Sequence, residues 1–220
     1  MMLRLGLACS LLACSTSIAA QKADFAREFN IEGIKPGLFT VDAIGKLRSS
    51  GFTCVDEPSS RGMKTFRGDL QTMVNSRYPG TYAQTEKFGA AVVRCTNAKK
   101  QGIDLYLKSR SYLDGIKILW VSAHFSYRFY QHKPTGDWII SKYGKPTSID
   151  AKRWDYCGLS VGGVCRGYQL VWSFHNSTSD LTLSSGLDVE TRRNSDFQKQ
   201  LSLEYQKAND VKCSKLRNGC

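Results

Sequence analysis

Over residues 116–130 the chain alternates two sets of side chains along its longest β-like run. Leu119, Val121, Ala123, Phe125, Tyr127 and Phe129 form one apolar set. The other set begins apolar with Ile116, Ile118 and Trp120, then turns polar with Ser122, His124, Ser126 and Arg128. A strand with one apolar and one half-polar face predicts an antiparallel sheet covered by helices on one side. The same reading predicts strands over residues 90–96, 103–109, 168–174 and 180–184, with polar turns at 97–102 and 176–179. Residues 187–190 extend or follow the last strand, and residues 55–65 read as a loop.

Other stretches follow the helical period. Val41, Ile44 and Leu47 share a face of a helix over 40–50. Thr40 is placed to cap it, Phe39 and Ile44 to staple its start, and Gly51 to close it. Phe66, Leu70, Met73 and Val74 predict a second helix that stops at Pro79-Gly80 despite Gly68. Asp137 to Pro146 reads as a short helix capped by Thr135, halted by Gly144 and unable to continue past Pro146. Phe197, Leu201, Tyr205 and Ala208 mark a last helix over 194–208, followed by a basic tail. Residues 21–33 form an entry segment in which Phe25 and Phe29 stand one helical turn apart.

These elements predict an α+β fold, an antiparallel sheet with short helices packed on one face. Two helices, each followed by cysteines and strands, point to tandem helix-plus-sheet modules over 21–113 and 114–220. Lys35-Pro36 and Lys133-Pro134 precede the two helices, and Asp42 and Asp137 sit near their starts. One continuous domain is the alternative.

Residues 1–20 change the picture from fold to compartment. Arg4, the apolar run Leu5 to Ala13 and the small residues Ser17-Ile18-Ala19-Ala20 read as a cleaved export signal. Leu11-Leu12-Ala13-Cys14 offers a second reading, a lipoprotein signal with a lipid anchor at Cys14. No apolar run approaches the length that spans a bilayer. The expected location is the periplasm or the exterior.

Export makes the cysteines legible. Of eight, Cys9 and Cys14 lie in the leader, which leaves Cys54, Cys95, Cys157, Cys165, Cys213 and Cys220. In an oxidising compartment an even set suggests disulfides. Proximity in sequence favours Cys157–Cys165 and Cys213–Cys220, which leaves Cys54–Cys95. No C-x-x-C occurs and His124, His132 and His175 lack ligand spacing, so neither metal nor cofactor is expected.

Catalytic signals are weak. Gly158-Leu-Ser160-Val-Gly162 matches G-x-S-x-G, but no long strand precedes it and no helix has room to follow before Cys165. The surroundings read as the glycine-rich tip of a disulfide-tied hairpin. His124 lies on the half-polar strand face with no assignable partner, and His132 sits in a loop. Asn176-Ser-Thr178 fits a glycosylation sequon, which matters only in a eukaryotic secretory pathway.

The formal net charge is +12 among 220 residues. The basic residues are scattered rather than striped, and an exported chain rarely meets nucleic acid. Anionic lipid, a cell-wall polymer or an acidic protein fits such a charge better.

Gly33-Ile34-Lys35-Pro36-Gly37 before the first helix and Lys142-Tyr-Gly-Lys-Pro146 after the third carry a resemblance. The chain resembles a group of small exported bacterial α/β domains. It is similar in architecture to the β-lactamase inhibitor protein and to small outer-membrane assembly lipoproteins. The resemblance implies short helices on an antiparallel sheet and a binding role, with no catalytic residues. The expected function is therefore a non-catalytic, inhibitor-like binding protein of the envelope. Trp154, Tyr156 and Tyr168, near the expected hairpin, are the candidate partner anchors. An exported serine hydrolase using Ser160 or His124, and a basic protein held on anionic lipid or polymer, are the alternatives.

Overall fold

The long alternating run becomes a central strand of an eight-stranded antiparallel sheet. The computed structural model describes residues 28–99, 103–126, 136–175, 178–185 and 187–215. Its strands are β1 (Thr53–Asp56), β2 (Val92–Thr96), β3 (Ile103–Tyr112), β4 (Gly115–Ser126), β5 (Ser148–Asp150), β6 (Arg153–Cys157), β7 (Ser160–Val161), β8 (Val164–Cys165), β9 (Gln169–Phe174) and β10 (Thr178–Ser184). The helices are α1 (Thr40–Ser49), α2 (Phe66–Arg77), α3 (Gly136–Tyr143) and α4 (Leu187–Lys215). The fold is α+β. Across the main sheet the order is β1-β2-β3-β4-β10-β9-β6-β5, and β7–β8 form a separate hairpin. Each half runs from edge to centre in chain order, one preceded by α1 and the other by α3. The halves meet where β4 pairs with β10.

α1 and α3 cover the same face. Ala43 and Leu47 of α1, and Ile139 and Tyr143 of α3, join one buried cluster with Val93, Leu105, Leu107, Val121, Ala123, Leu170 and Leu183. Each fully buried leucine or isoleucine there contributes roughly 1.5–3 kcal/mol of transfer free energy. The entry segment completes the cluster through a two-residue hairpin. Ile31 and Ile34 exchange backbone hydrogen bonds of 2.9 Å. Glu32 and Gly33 between them both take positive φ, 51° and 75°. That is the turn that lets two buried isoleucines sit side by side.

The helix ends show why the elements stop. At the end of α1, Gly51 takes a φ of 85°. Its N–H donates to the Arg48 carbonyl and that of Phe52 to the Leu47 carbonyl, the paired bonds of a Schellman closure. Gly144 closes α3 with a φ of 78°. The start of α1 differs from expectation. Phe39 occupies the cap position without a side-chain bond, and the Thr40 hydroxyl instead donates to Ser109 Oγ at 2.9 Å. Thr65 does cap α2, accepting from the Gly68 N–H at 2.9 Å.

A β-bulge alters the expected faces of β4. Lys108 stands opposite Trp120 but Ser109 opposite Ile118, so Leu119 is the extra residue. The alternation changes phase there. Ile118 is buried with Val121, Ala123 and Phe125, while Leu119 is only half-buried.

Residues 187–190 open the long helix α4 rather than extending a strand. α2 and α4 pair through a second cluster of Phe66, Leu70, Val74, Leu201 and Ala208, with Phe197 and Tyr205 packed against it. β1, β5 and β6 occupy stretches where no strand is expected, β1 overlapping the start of the expected loop. They are three to five residues long, too short for a periodic signal to stand out.

Two disulfides join cysteines that are both among the described residues. Cys54–Cys95 joins residues directly opposite each other on β1 and β2. Cys157–Cys165 ties β8 back to the end of β6. Cys213 is also disulfide-bonded, with its partner outside the described residues. Such bonds fit an extracellular or periplasmic location. Among the described residues no helix is long and apolar enough to cross a membrane. The leader with Cys14, the turn at 97–102 in its second half, Tyr127 to Thr135 with His132, Asn176 and Cys220 lie outside the described residues.

Candidate binding face

The pleat sends alternate residues away from α1 and α3, and the strand registers line them up in rows. One row runs Thr96, Asp104, His124, Asp180, Ser173 and Arg153. The next runs Arg94, Tyr106, Ser122, Thr182, Val171 and Asp155. A third holds Val92, Lys108, Trp120, Ser184, Gln169 and Cys157. Most of these residues are half-buried, as on a sheet face in contact with water. Because Cys157 belongs to this set, its disulfide anchors the β7–β8 hairpin from the open side of the sheet.

Charges on the face are mostly paired. Arg94 donates to Asp104 at 2.7 Å and Arg153 to Asp155 at 2.8 Å. The hydrogen bonds to those carboxylates hold both guanidiniums above their ordinary pKa. Arg94 also lies over the Tyr106 ring, 5.9 Å from its centroid. Such fixed arginine and aromatic side chains lose little entropy on meeting a partner.

The structure gives His124 the carboxylate that the sequence could not assign. Its Nδ1 lies 2.6 Å from Asp180 Oδ1. His175 Nε2 stands 3.8 Å from the other oxygen of the same carboxylate. An Nδ1–H donated to Asp180 leaves Nε2 as the acceptor aimed away from the pair. Among the described residues no serine, threonine or cysteine side chain is hydrogen-bonded to His124. The nearby Ser122 hydroxyl is engaged with Thr182 at 3.1 Å. Cross-strand pairing in the folded sheet brought His124 and Asp180 together, and 56 residues separate them in sequence. Only the position of Asp180 on a predicted strand hinted at it.

The other predicted residues fall elsewhere. Ser160 is exposed on the hairpin beyond the Cys157 end of β6. His175 follows β9 at its far end. A six-residue strand between them spans about 20 Å, so the fold does not bring Ser160 to His175. Tyr156 is 0% exposed. Its ring packs edge-on against Phe29 and Tyr143, with centroids 6.2 and 6.3 Å away. The expectation of an exposed anchor is corrected there, because Tyr156 falls on the helix-covered side of β6. Trp154 is half-buried on the same side, 5.0 Å from the Trp172 ring centroid and close above Gly136. Tyr168 is half-buried too and donates to the Pro36 carbonyl at 3.3 Å. Among the described residues of these rows the aromatic ones are Tyr106 and Trp120; the sequence placed Trp120 on the half-polar strand face and assigned Tyr106 no role.

Among the described residues no group of three His, Cys, Asp or Glu side chains is arranged to hold a metal ion. Comparison of the chain with protein-family models, with curated proteins and with solved structures finds no match.

Proposed function

We propose that this chain is an exported, non-catalytic binding protein of the cell envelope. Its open sheet face docks onto a folded acidic protein. The observation that carries the reading is the division of the sheet. α1 and α3 occupy one face, while the other presents Arg94, Tyr106, Trp120, His124 and Arg153 in register. Seven inter-strand spacings of about 4.8 Å and strands of about 17 Å make a face on the order of 600 Å². One partner in a standard interface buries roughly 800 Å², so the face with its hairpin rim is adequate in size. Ion pairs on the face are internally balanced. Attraction to an acidic partner comes instead from the net positive charge of the chain, +12 in full and one less once the leader with Arg4 is removed. The leader supports export, and the architectural resemblance to inhibitor-like domains supports binding rather than catalysis.

The test is capture of envelope protein by the chain and by two variants. Tyr106→Asp with Trp120→Asp alters the open face, and Val41→Asp alters a residue of α1 that is 75% exposed. One protein retained by the parent and by Val41→Asp, but lost from the double variant, supports the reading. Equal capture by all three, or capture abolished in every case by moderate salt, contradicts it and favours an electrostatic hold on lipid or polymer.

A further inference from the structure

Away from the centre of that face, a cleft of about 540 Å³ opens between β3, the loop before α2 and the start of α4. β2 begins only at Val92, opposite Lys108, while β3 continues to Tyr112. The cleft occupies the space beside this continuing strand. Its size is in the range of small-molecule sites.

The walls are of two kinds. Lys64, Lys108, Arg110 and Arg193 supply four cations, against one lining carboxylate, Asp69. Arg193 donates to Asp69 at 3.2 Å and to the Ser111 carbonyl at 3.0 Å. Arg110 is paired with Glu190. Among the described residues Lys64 and Lys108 have no ion-pair partner, and both are exposed. The remaining wall is mostly apolar, formed by Met63, Phe88, Ala91 and Leu119, with Ser109 and Ser111 along β3. Leu119 lines this cleft because the bulge moves it out of the core alternation.

We propose that this cleft binds an amphiphilic anion, a phosphate or carboxylate headgroup carrying an alkyl chain. Lys64 and Lys108 hold the headgroup, and Met63, Phe88 and Leu119 cover the first part of the chain. Two unpaired ammonium groups beside an apolar wall suit such a ligand better than a purely polar one. Arg193 adds a supporting observation. Its side chain is 7% exposed, and burial first, then the charge of Arg110, pushes its pKa below the ordinary value. An anion in the cleft relieves that repulsion.

The probe is decyl phosphate below its micelle concentration, titrated into the whole chain by calorimetry. Inorganic phosphate and decyl maltoside supply the headgroup and the alkyl chain separately. Saturable binding of one decyl phosphate per chain is expected, at least about tenfold tighter than either control. Lys64→Glu with Lys108→Glu, and separately Leu119→Ser, each weaken it at least about tenfold. The lysine variant has no buried partner to disturb, and its unfolding temperature is the check that it folds. A parallel arm uses phosphatidylglycerol vesicles against phosphatidylcholine vesicles. Capture by the anionic vesicles that is lost in the same variants makes a bilayer lipid the source. Monomer binding without capture makes it a free amphiphile, and both outcomes keep the proposal. No saturable binding, or binding unchanged in folded variants, or inorganic phosphate binding as tightly as decyl phosphate, overturns it.

Discussion

His124 Nδ1 faces Asp180 Oδ1 at 2.6 Å, with Asp104 directly opposite His124 on its other side. The pair lies in the middle of the open face, so its tautomer is a probe of that face. The carboxylate favours the proton on Nδ1. We expect the ring nitrogen shifts of His124 to report the Nδ1–H form in the parent chain. In Asp180→Ala they should move toward the Nε2–H form that free imidazole prefers. Unchanged shifts would mean that the pair is not formed in solution.

Gly68 separates two opposed effects. An alanine in a helix interior is favoured over glycine by about 1 kcal/mol. A Cβ at position 68, however, falls 2.0 Å from the Glu86 carbonyl oxygen. That backbone atom is held in place, since it accepts from the Thr65 N–H at 3.1 Å. Gly68→Ala is therefore expected to destabilise by about 1–3 kcal/mol, the range for an overpacked contact. Denaturant unfolding gives the sign directly.

Tyr156 tests its own relocation to the core. Its hydroxyl is buried and finds no hydrogen-bond partner among the described residues. An unsatisfied buried hydroxyl costs about 1–3 kcal/mol. Tyr156→Phe should then leave stability unchanged or raise it by about 1 kcal/mol, whereas Tyr156→Ala should cost about 3–5 kcal/mol. A large loss from the phenylalanine variant would place a partner on that hydroxyl.

The packing of α4 against the segment that follows α2 should be sensitive to acid. Glu204 accepts from the Tyr82 hydroxyl and from Lys207 Nζ at 2.9 Å. These bonds, Tyr82 first, hold its pKa below the ordinary carboxylate value. The stability contributed is complete above the unfolded value, about 4.3, and is lost as pH falls through the lower folded value. The same bond raises Tyr82, whose contribution is lost as pH climbs past about 10. Glu204→Gln should thus be less stable than the parent at neutral pH, with the gap closing below about pH 4. Thermal melts at neutral and acid pH measure it.

The two described disulfides should contribute unequally. Their sequence separations are 41 and 8 residues. Loop-closure entropy alone gives about 4 kcal/mol for Cys54–Cys95 and about 2.5 kcal/mol for Cys157–Cys165. Double serine variants compared by denaturant unfolding should follow that order.

Periodic signals in the sequence were strong where an element was long. Val121, Ala123 and Phe125, the α2 face of Phe66, Leu70 and Val74, and the stops at Gly51 and Gly144 all carry local physics, so the sequence shows them. The faces of β4 were legible only as far as the bulge. Leu119 is one residue too many for its partner strand, and nothing local to it signals an insertion. The burial of Tyr156 was missed for a similar reason. The alternation that buries Tyr156 and turns Trp154 to the same side belongs to β6, whose five residues were not recognised as a strand. His124 carried a polar-face signal, but Asp180, His175 and Asp104 meet it only through long-range strand pairing.

The most direct test of the open face is site-directed photo-crosslinking in the native envelope. A benzoylphenylalanine replacing Tyr106 reports from the centre of the face, and one replacing Val41 reports from the exposed side of α1. The account predicts a crosslink to a single acidic protein from position 106 and none from position 41. Crosslinks from both positions alike, or none from position 106 while the protein is otherwise captured, would contradict it.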